Sequence, residues 1–270
     1  MNGMRTARAF ITLTLCAILA PGVARADRRY FAASYTPYLA PAHEFEVEAW
    51  LTSGVGSQNP GPHTVSEPRL EFEYAVTNRL TTAVYLNFKG PVDEFGEDLH
   101  LESPSLEFIY RLGDAGQRLG DVAVYLETTE SGAELELEPK LLFAHHSHSW
   151  LFVSNLIGEF EFRHDRNELT EGGDVLKNAF AGEITGGVAY ELGAQFTVGL
   201  ETRYRAEFPN FGPRAAAVFS AGPSISLEAG HVELALGILP QLWGSPQTSG
   251  SRNLVDFEKV EVRTVLAVEF

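Results

Sequence analysis

Apolar and polar side chains alternate with a period of two from about residue 43 to the last residue, and no other feature restricts the fold of this chain so tightly. The final run shows it most plainly. Val260, Val262, Thr264, Leu266, Val268 and Phe270 fall on one face; Glu261, Arg263, Val265, Ala267 and Glu269 fall on the other. Side chains of a strand point alternately to its two faces, so this run predicts a β-strand with one apolar and one mainly polar side.

The same pattern recurs about twelve times. Strand one covers residues 43–51, with Phe45, Val47, Ala49 and Leu51 opposite Glu44, Glu46, Glu48 and Trp50. A polar loop at 52–68 leads to strand two, where Leu70, Phe72, Tyr74 and Val76 oppose Glu71, Glu73 and Ala75. The tight turn Thr77-Asn78-Arg79 follows. Long polar loops and short turns then alternate along the chain, the exception being a tight Ser131-Gly132 link where a long loop is due. Membrane barrels have long loops on one side and short turns on the other, whereas a soluble sandwich has no reason to alternate in this way. The fold class expected is all-β: a transmembrane antiparallel up-and-down β-barrel of about 12 strands over residues 43–270, with its short turns periplasmic.

The first residues fit export. Arg5 and Arg8 precede the apolar run 9–20, a break at Pro21-Gly22 and the small-x-small site Ala24-Arg25-Ala26, the parts of a cleaved signal peptide over residues 1–26. The run is about half the ~20 residues that a membrane helix needs. Cys16, the only cysteine, leaves with the leader, which excludes disulfides and cysteine metal sites in the mature chain. Residues 27–42, rich in Arg and aromatics, show neither strand nor helix spacing and are expected to be a periplasmic N-terminal lead-in, an ordered linker or a lining of the barrel floor.

Charge narrows the partners. The chain has 20 basic and 36 acidic residues, and losing Arg5, Arg8 and Arg25 leaves 17 against 36, a net of −19. Nucleic-acid binding needs basic surface and is excluded. Hydrophobic residues at 44% are too many for a disordered chain.

The apolar face carries aromatics bunched at strand ends. Phe45, Tyr74, Tyr110, Phe143, Trp150, Tyr190, Phe196 and Phe270 fall at the ends assigned to the periplasmic side, as an interfacial girdle would. The polar face carries the functional question. Glu44, Glu46, Glu48, Glu71, Glu73, Glu134, Glu136 and Glu138 point inward, with Arg69, Lys259 and Arg263 among the fewer bases. Closure would set strand twelve beside strand one and bring Arg263 and Lys259 toward Glu44, Glu46 and Glu48, with Arg69 flanking them. Carboxylates crowded in a tube repel unless water, counter-cations or bases neutralise them. The expectation is a water-filled passage favouring cations, with these residues as its selectivity surface; the alternative is a charge network that only fills the lumen.

Other constellations are weaker. His145, His146 and His148 resemble metal ligands but fall on a short turn where solvated histidines are the commoner case, so no metal and no cofactor is expected. A lipid hydrolase would need a His and a Ser on one face near the outer leaflet. Here His148, Ser149, Ser154 and Asn155 fall at the periplasmic edge, with Ser154 outward and Asn155 inward. No GxSxG, HExxH or phosphate loop appears. Gly186-Gly187 marks curvature or tight packing.

Glu46-Val47-Glu48-Ala49-Trp50, the run from Tyr74 through Asn78-Arg79 to Leu80, and the terminal Phe270 together resemble Gram-negative outer-membrane barrels of the transporter type, the group associated with the phenol-degradation (MetA) pathway. The resemblance implies diffusion or uptake of an unidentified small solute, contact with outer-membrane lipid, and insertion by the barrel-assembly machinery through the strand ending in Phe270. It transfers no binding residue. A closed barrel with a structural or surface-interaction role is the competing expectation.

Overall fold

The computed structural model describes residues 28–58, 63–91, 99–114, 116, 120–132, 134–165 and 175–270; the expected leader at 1–26 lies outside them. Twelve strands are present among the described residues: β1 (Phe45–Ser57), β2 (His63–Thr77), β3 (Leu80–Pro91), β4 (His100–Arg111), β5 (Asp121–Glu130), β6 (Glu134–Ser147), β7 (Trp150–Asp165), β8 (Val175–Glu191), β9 (Phe196–Pro209), β10 (Ala216–Ala229), β11 (Val232–Ser245) and β12 (Val260–Glu269). Each pairs antiparallel with its sequence neighbours, and β12 returns to β1 to close the barrel. Closure leaves no unpaired edge. No helix is long and apolar enough to cross a membrane among the described residues.

The alternation read from the sequence is the inside–outside alternation of the wall. Along β4, Ser103, Ser105, Glu107 and Ile109 are buried while Leu106, Phe108 and Tyr110 are exposed. Exposed Leu156, Ile184, Leu200 and Leu242 continue the apolar outer surface. Such a surface is inside-out for a soluble protein and suited to lipid. All eight aromatics expected at one rim face outward, beside the short turns or at the closing seam.

Several strands outrun their expected ends. β1 continues to Ser57 and β2 starts at His63, inside the loop expected at 52–68; β7 and β8 likewise enter the polar stretch 164–176. Backbone pairing there does not need apolar side chains: Thr52 pairs with both Arg263 and Glu67 beyond the apolar belt. Polarity marks where the belt stops, not where the ladder stops. His145 and His146 fall inside β6 for the same reason.

Of the positions open to the lead-in, the interior is the one observed. Residues 28–42 lie inside the barrel, at the short-turn half. Tyr35 and Leu39 pack with Trp50, Ile109, Tyr125 and Leu142, while Phe31 packs with Leu151, Val153 and Ala189. The inward positions of this half include Ala75, Ala83, Ala123, Ala144, Ala189, Ala235 and Ala267, all fully or nearly buried. Small side chains on the inner face leave the width that the segment fills. Gly187 shows how close the fit is, because a Cβ there would sit 2.6 Å from the Phe31 ring.

Candidate functional site

Barrel carboxylates and amides hold residues 28–42 by their backbone. Glu201 on β9 is fully buried and accepts three consecutive backbone N–H groups: Ala32 at 3.1 Å, Ala33 at 2.9 Å and Ser34 at 2.9 Å. Converging N–H groups of this kind form an anion nest, which lets a carboxylate stay in a dry interior. Asn155 on β7 accepts the Tyr35 N–H at 2.8 Å and donates to the Tyr35 carbonyl at 2.9 Å, while Thr185 donates to the same Asn155 oxygen. Glu233 accepts the Arg29 N–H at 2.7 Å. Asn78 accepts the Ala42 N–H where the segment leaves for β1.

The side chains of the segment find charge partners as well. The Arg29 guanidinium donates to both oxygens of Glu48, at 2.8 and 2.7 Å, and lies 4.6 Å from the Trp50 ring and 5.1 Å from the Tyr35 ring. Two parallel bonds to one carboxylate are the strong, geometry-specific form of this pair. Arg28 lies 3.6 Å from Glu228 and 3.9 Å from Glu191, and Tyr30 donates to Glu191.

Above the segment, toward the long-loop rim, a cavity of about 330 Å³ remains. Ala33, Tyr35 and Trp50 border it, and seven glutamates against five bases make its lining net acidic. Each base is already engaged. Lys140 is 2.8 Å from Glu138, Arg205 holds both oxygens of Glu159 at 2.6 and 2.7 Å, and Arg69 is 3.6 Å from Glu127. Arg203 pairs with Glu183 at 2.9 Å and with Glu261; Arg263 is 3.2 Å from Glu261. Glu136 has no basic partner among the described residues. Buried pairs like these roughly repay their own desolvation, so they fix shape more than they add stability.

The expected site residues divide into two groups. Glu48 and Glu71 stand opposite each other on β1 and β2, as do Glu46 and Glu73. Carboxylate oxygens of Glu71, Glu73 and Glu107 come within 4.8 Å of one another; two further trios, Glu134 with Glu136 and Glu161, and Glu136 with Glu138 and Glu159, do the same. Oxygen sets of this spacing could hold a hard cation. Glu44 precedes β1 at the short-turn rim. Arg69 stands opposite Trp50, with its guanidinium 4.7 Å from the Tyr85 ring.

The expected partnership across the seam does not form. Register sets Glu48 opposite Ala267 and Arg263 opposite Thr52, so Arg263 lies up the barrel from the strand-one acids. Lys259 is exposed just before β12. Arg29 takes the role assigned to them. Acids outnumbering bases inside the barrel implied a missing counter-charge, and the Arg28-Arg29 pair in a segment that could line the barrel floor was the signal that could have found it. His146 lies 3.4 Å from Glu191, and His148 sits in the turn at φ 56°. Ser154 faces outward and Asn155 is spent on Tyr35, so the serine, histidine and asparagine do not converge.

Fold and lumen together define a class: a closed transmembrane-type β-barrel with its N-terminal segment inside and a cavity lined by more acids than bases. The profile of a family described as "Family of unknown function (DUF6662)" matches residues 180–270, the last third of the chain. No curated protein matches the sequence. Among solved structures, the chain is similar to the COG4313 outer membrane channel from Pseudomonas putida F1, at TM-score 0.58 and 10% identity over 93% of this chain and 100% of that one. It is also similar to the NanC porin, at TM-score 0.51 and 12% identity over 84% and 98%. At these identities the likeness is one of fold.

Proposed function

We propose that the protein is an outer-membrane channel for small solutes, favouring cations or neutral molecules, closed from the periplasmic side by residues 28–42. The observation that carries this reading is the acidic vestibule of about 330 Å³ that ends on Tyr35 and Trp50. A barrel built only to be stable would have no use for an uncompensated Glu136 beside Glu138 and Glu159. The channel folds to which it is similar, and the resemblance to the MetA-pathway barrels, support uptake or diffusion but name no solute. In this reading the leader is removed on export, the strand ending in Phe270 addresses the chain to the assembly machinery, and the outer aromatics sit at the lipid interface.

The test is planar-bilayer recording under a salt gradient. The proposal expects a reversal potential of the cation-selective sign, and Glu136→Gln with Glu138→Gln moves it toward zero. Anion selectivity would overturn the acidic-lumen reading. The many bonds that hold residues 28–42 favour one competitor, a permanently closed structural barrel. Absence of conductance above background would favour that reading instead.

A further inference from the structure

We propose that the place occupied by Arg29 is a binding site of the barrel for solutes bearing a guanidinium or primary ammonium group, with Arg29 as its built-in occupant. The inference rests on the channel reading and names a solute class for it. The barrel's share of the site is Glu48, Trp50 and Glu71. Glu48 is almost fully buried and gives both oxygens to the guanidinium. Trp50, two residues along the same inward face, offers its ring at 4.6 Å. Glu71, opposite Glu48, accepts the Trp50 indole N–H at 2.9 Å through one oxygen, and no donor reaches the other. A carboxylate fork over an aromatic face is the geometry that recognises a planar cation. The guanidinium contacts Glu48 alone, and Glu71 completes the site by orienting the Trp50 ring.

Trp50 and Tyr35 border the vestibule, whereas Arg29 lines a second, smaller cavity with Tyr35, Tyr38 and Glu73, so Trp50 and Tyr35 form the partition that a cation from the vestibule must pass. The same floor repeats this chemistry: Lys140 lies 3.8 Å from the Tyr125 ring and 4.2 Å from the Tyr35 ring. The plug residues around Arg29 are bound to the wall through their backbone. Exchange of Arg29 for a solute cation therefore loosens one anchor while the nest at Glu201 and the Asn155 pair hold the rest.

Calorimetry with agmatine, against choline at matched ionic strength, tests the site in the full-length barrel in detergent. Arg29→Ala is expected to bind agmatine at one saturable site. Arg29→Ala/Glu48→Gln should bind at least tenfold more weakly, and the wild type, its site filled, tenfold more weakly than Arg29→Ala. Equal binding to Arg29→Ala and to the double variant would overturn the proposal. If Arg29→Ala fails to fold, the wild type decides: agmatine should speed trypsin cleavage after Arg29 at least threefold over choline, and no acceleration would overturn it. Conductance is read separately. A silent bilayer with intact agmatine binding removes the channel and leaves the site, whereas a conducting barrel without binding removes the site alone.

Discussion

Glu201 carries more of the internal architecture than its place in an alternating strand suggests. Strand parity predicts that it points inward, and it does; parity cannot show that three N–H groups of residues 32–34 converge on it. Orphaning a buried donor costs about 1–3 kcal/mol. Glu201→Ala should therefore free the segment rather than unfold the barrel, since released N–H groups can hydrate. The expected result is trypsin cleavage after Arg29 at least tenfold faster, with the heat-modifiable gel mobility of the barrel unchanged. Gly187→Ala should act in the same direction from the neighbouring strand, where Gly187 is the register partner of Glu201. Its Cβ would fall 2.6 Å from Phe31, and overpacking of this kind costs about 1–3 kcal/mol. Cleavage at the wild-type rate in both variants would contradict this placement of the segment. Tight packing at Gly186-Gly187 was legible in the sequence, but the ring that requires it was not, because Phe31 and Gly187 meet only through the fold.

Strands were the most legible elements. Alternation gave their number, direction and faces, since one face meets lipid and the other the lumen all along the wall. Their ends were less so, because hydrogen-bonded ladders continue past the apolar belt into residues such as Thr52 and Ser57. Register across the β1–β12 seam was not readable at all. A shift of two or four residues changes no face, yet it decides whether Arg263 stands opposite Glu48 or, as it does, opposite Thr52. That seam also bears on assembly. Phe270 donates its N–H to the Phe45 carbonyl, and their rings are 6.1 Å apart on the outer surface. Phe270→Ala should lower the yield of inserted barrel in cells several-fold while leaving the melting of the purified, folded protein within a few degrees. An undiminished yield would count against a role for this residue in insertion.

At the scale of the whole molecule, composition and loop alternation led to a transmembrane-type barrel, and inward glutamates led to the proposal of an acidic lumen. The filled lower half was hidden, because residues 28–42 carry no period and make many of their bonds to residues 120 to more than 200 positions away. The account rests on that segment filling and closing the tube. The mature chain is expected to lack cysteine, so a single engineered pair can report on it. A Cβ at Gly237 would lie 3.1 Å from that of Ala32, a few tenths of an ångström inside the ~3.5–4.5 Å span of a disulfide. The direct measurement is bilayer conductance of Ala32→Cys/Gly237→Cys before and after a reductant. The prediction is a cross-linked protein with low, steady conductance that rises and becomes more frequent on reduction. Failure of the pair to cross-link, or conductance that is the same in both states, would contradict it.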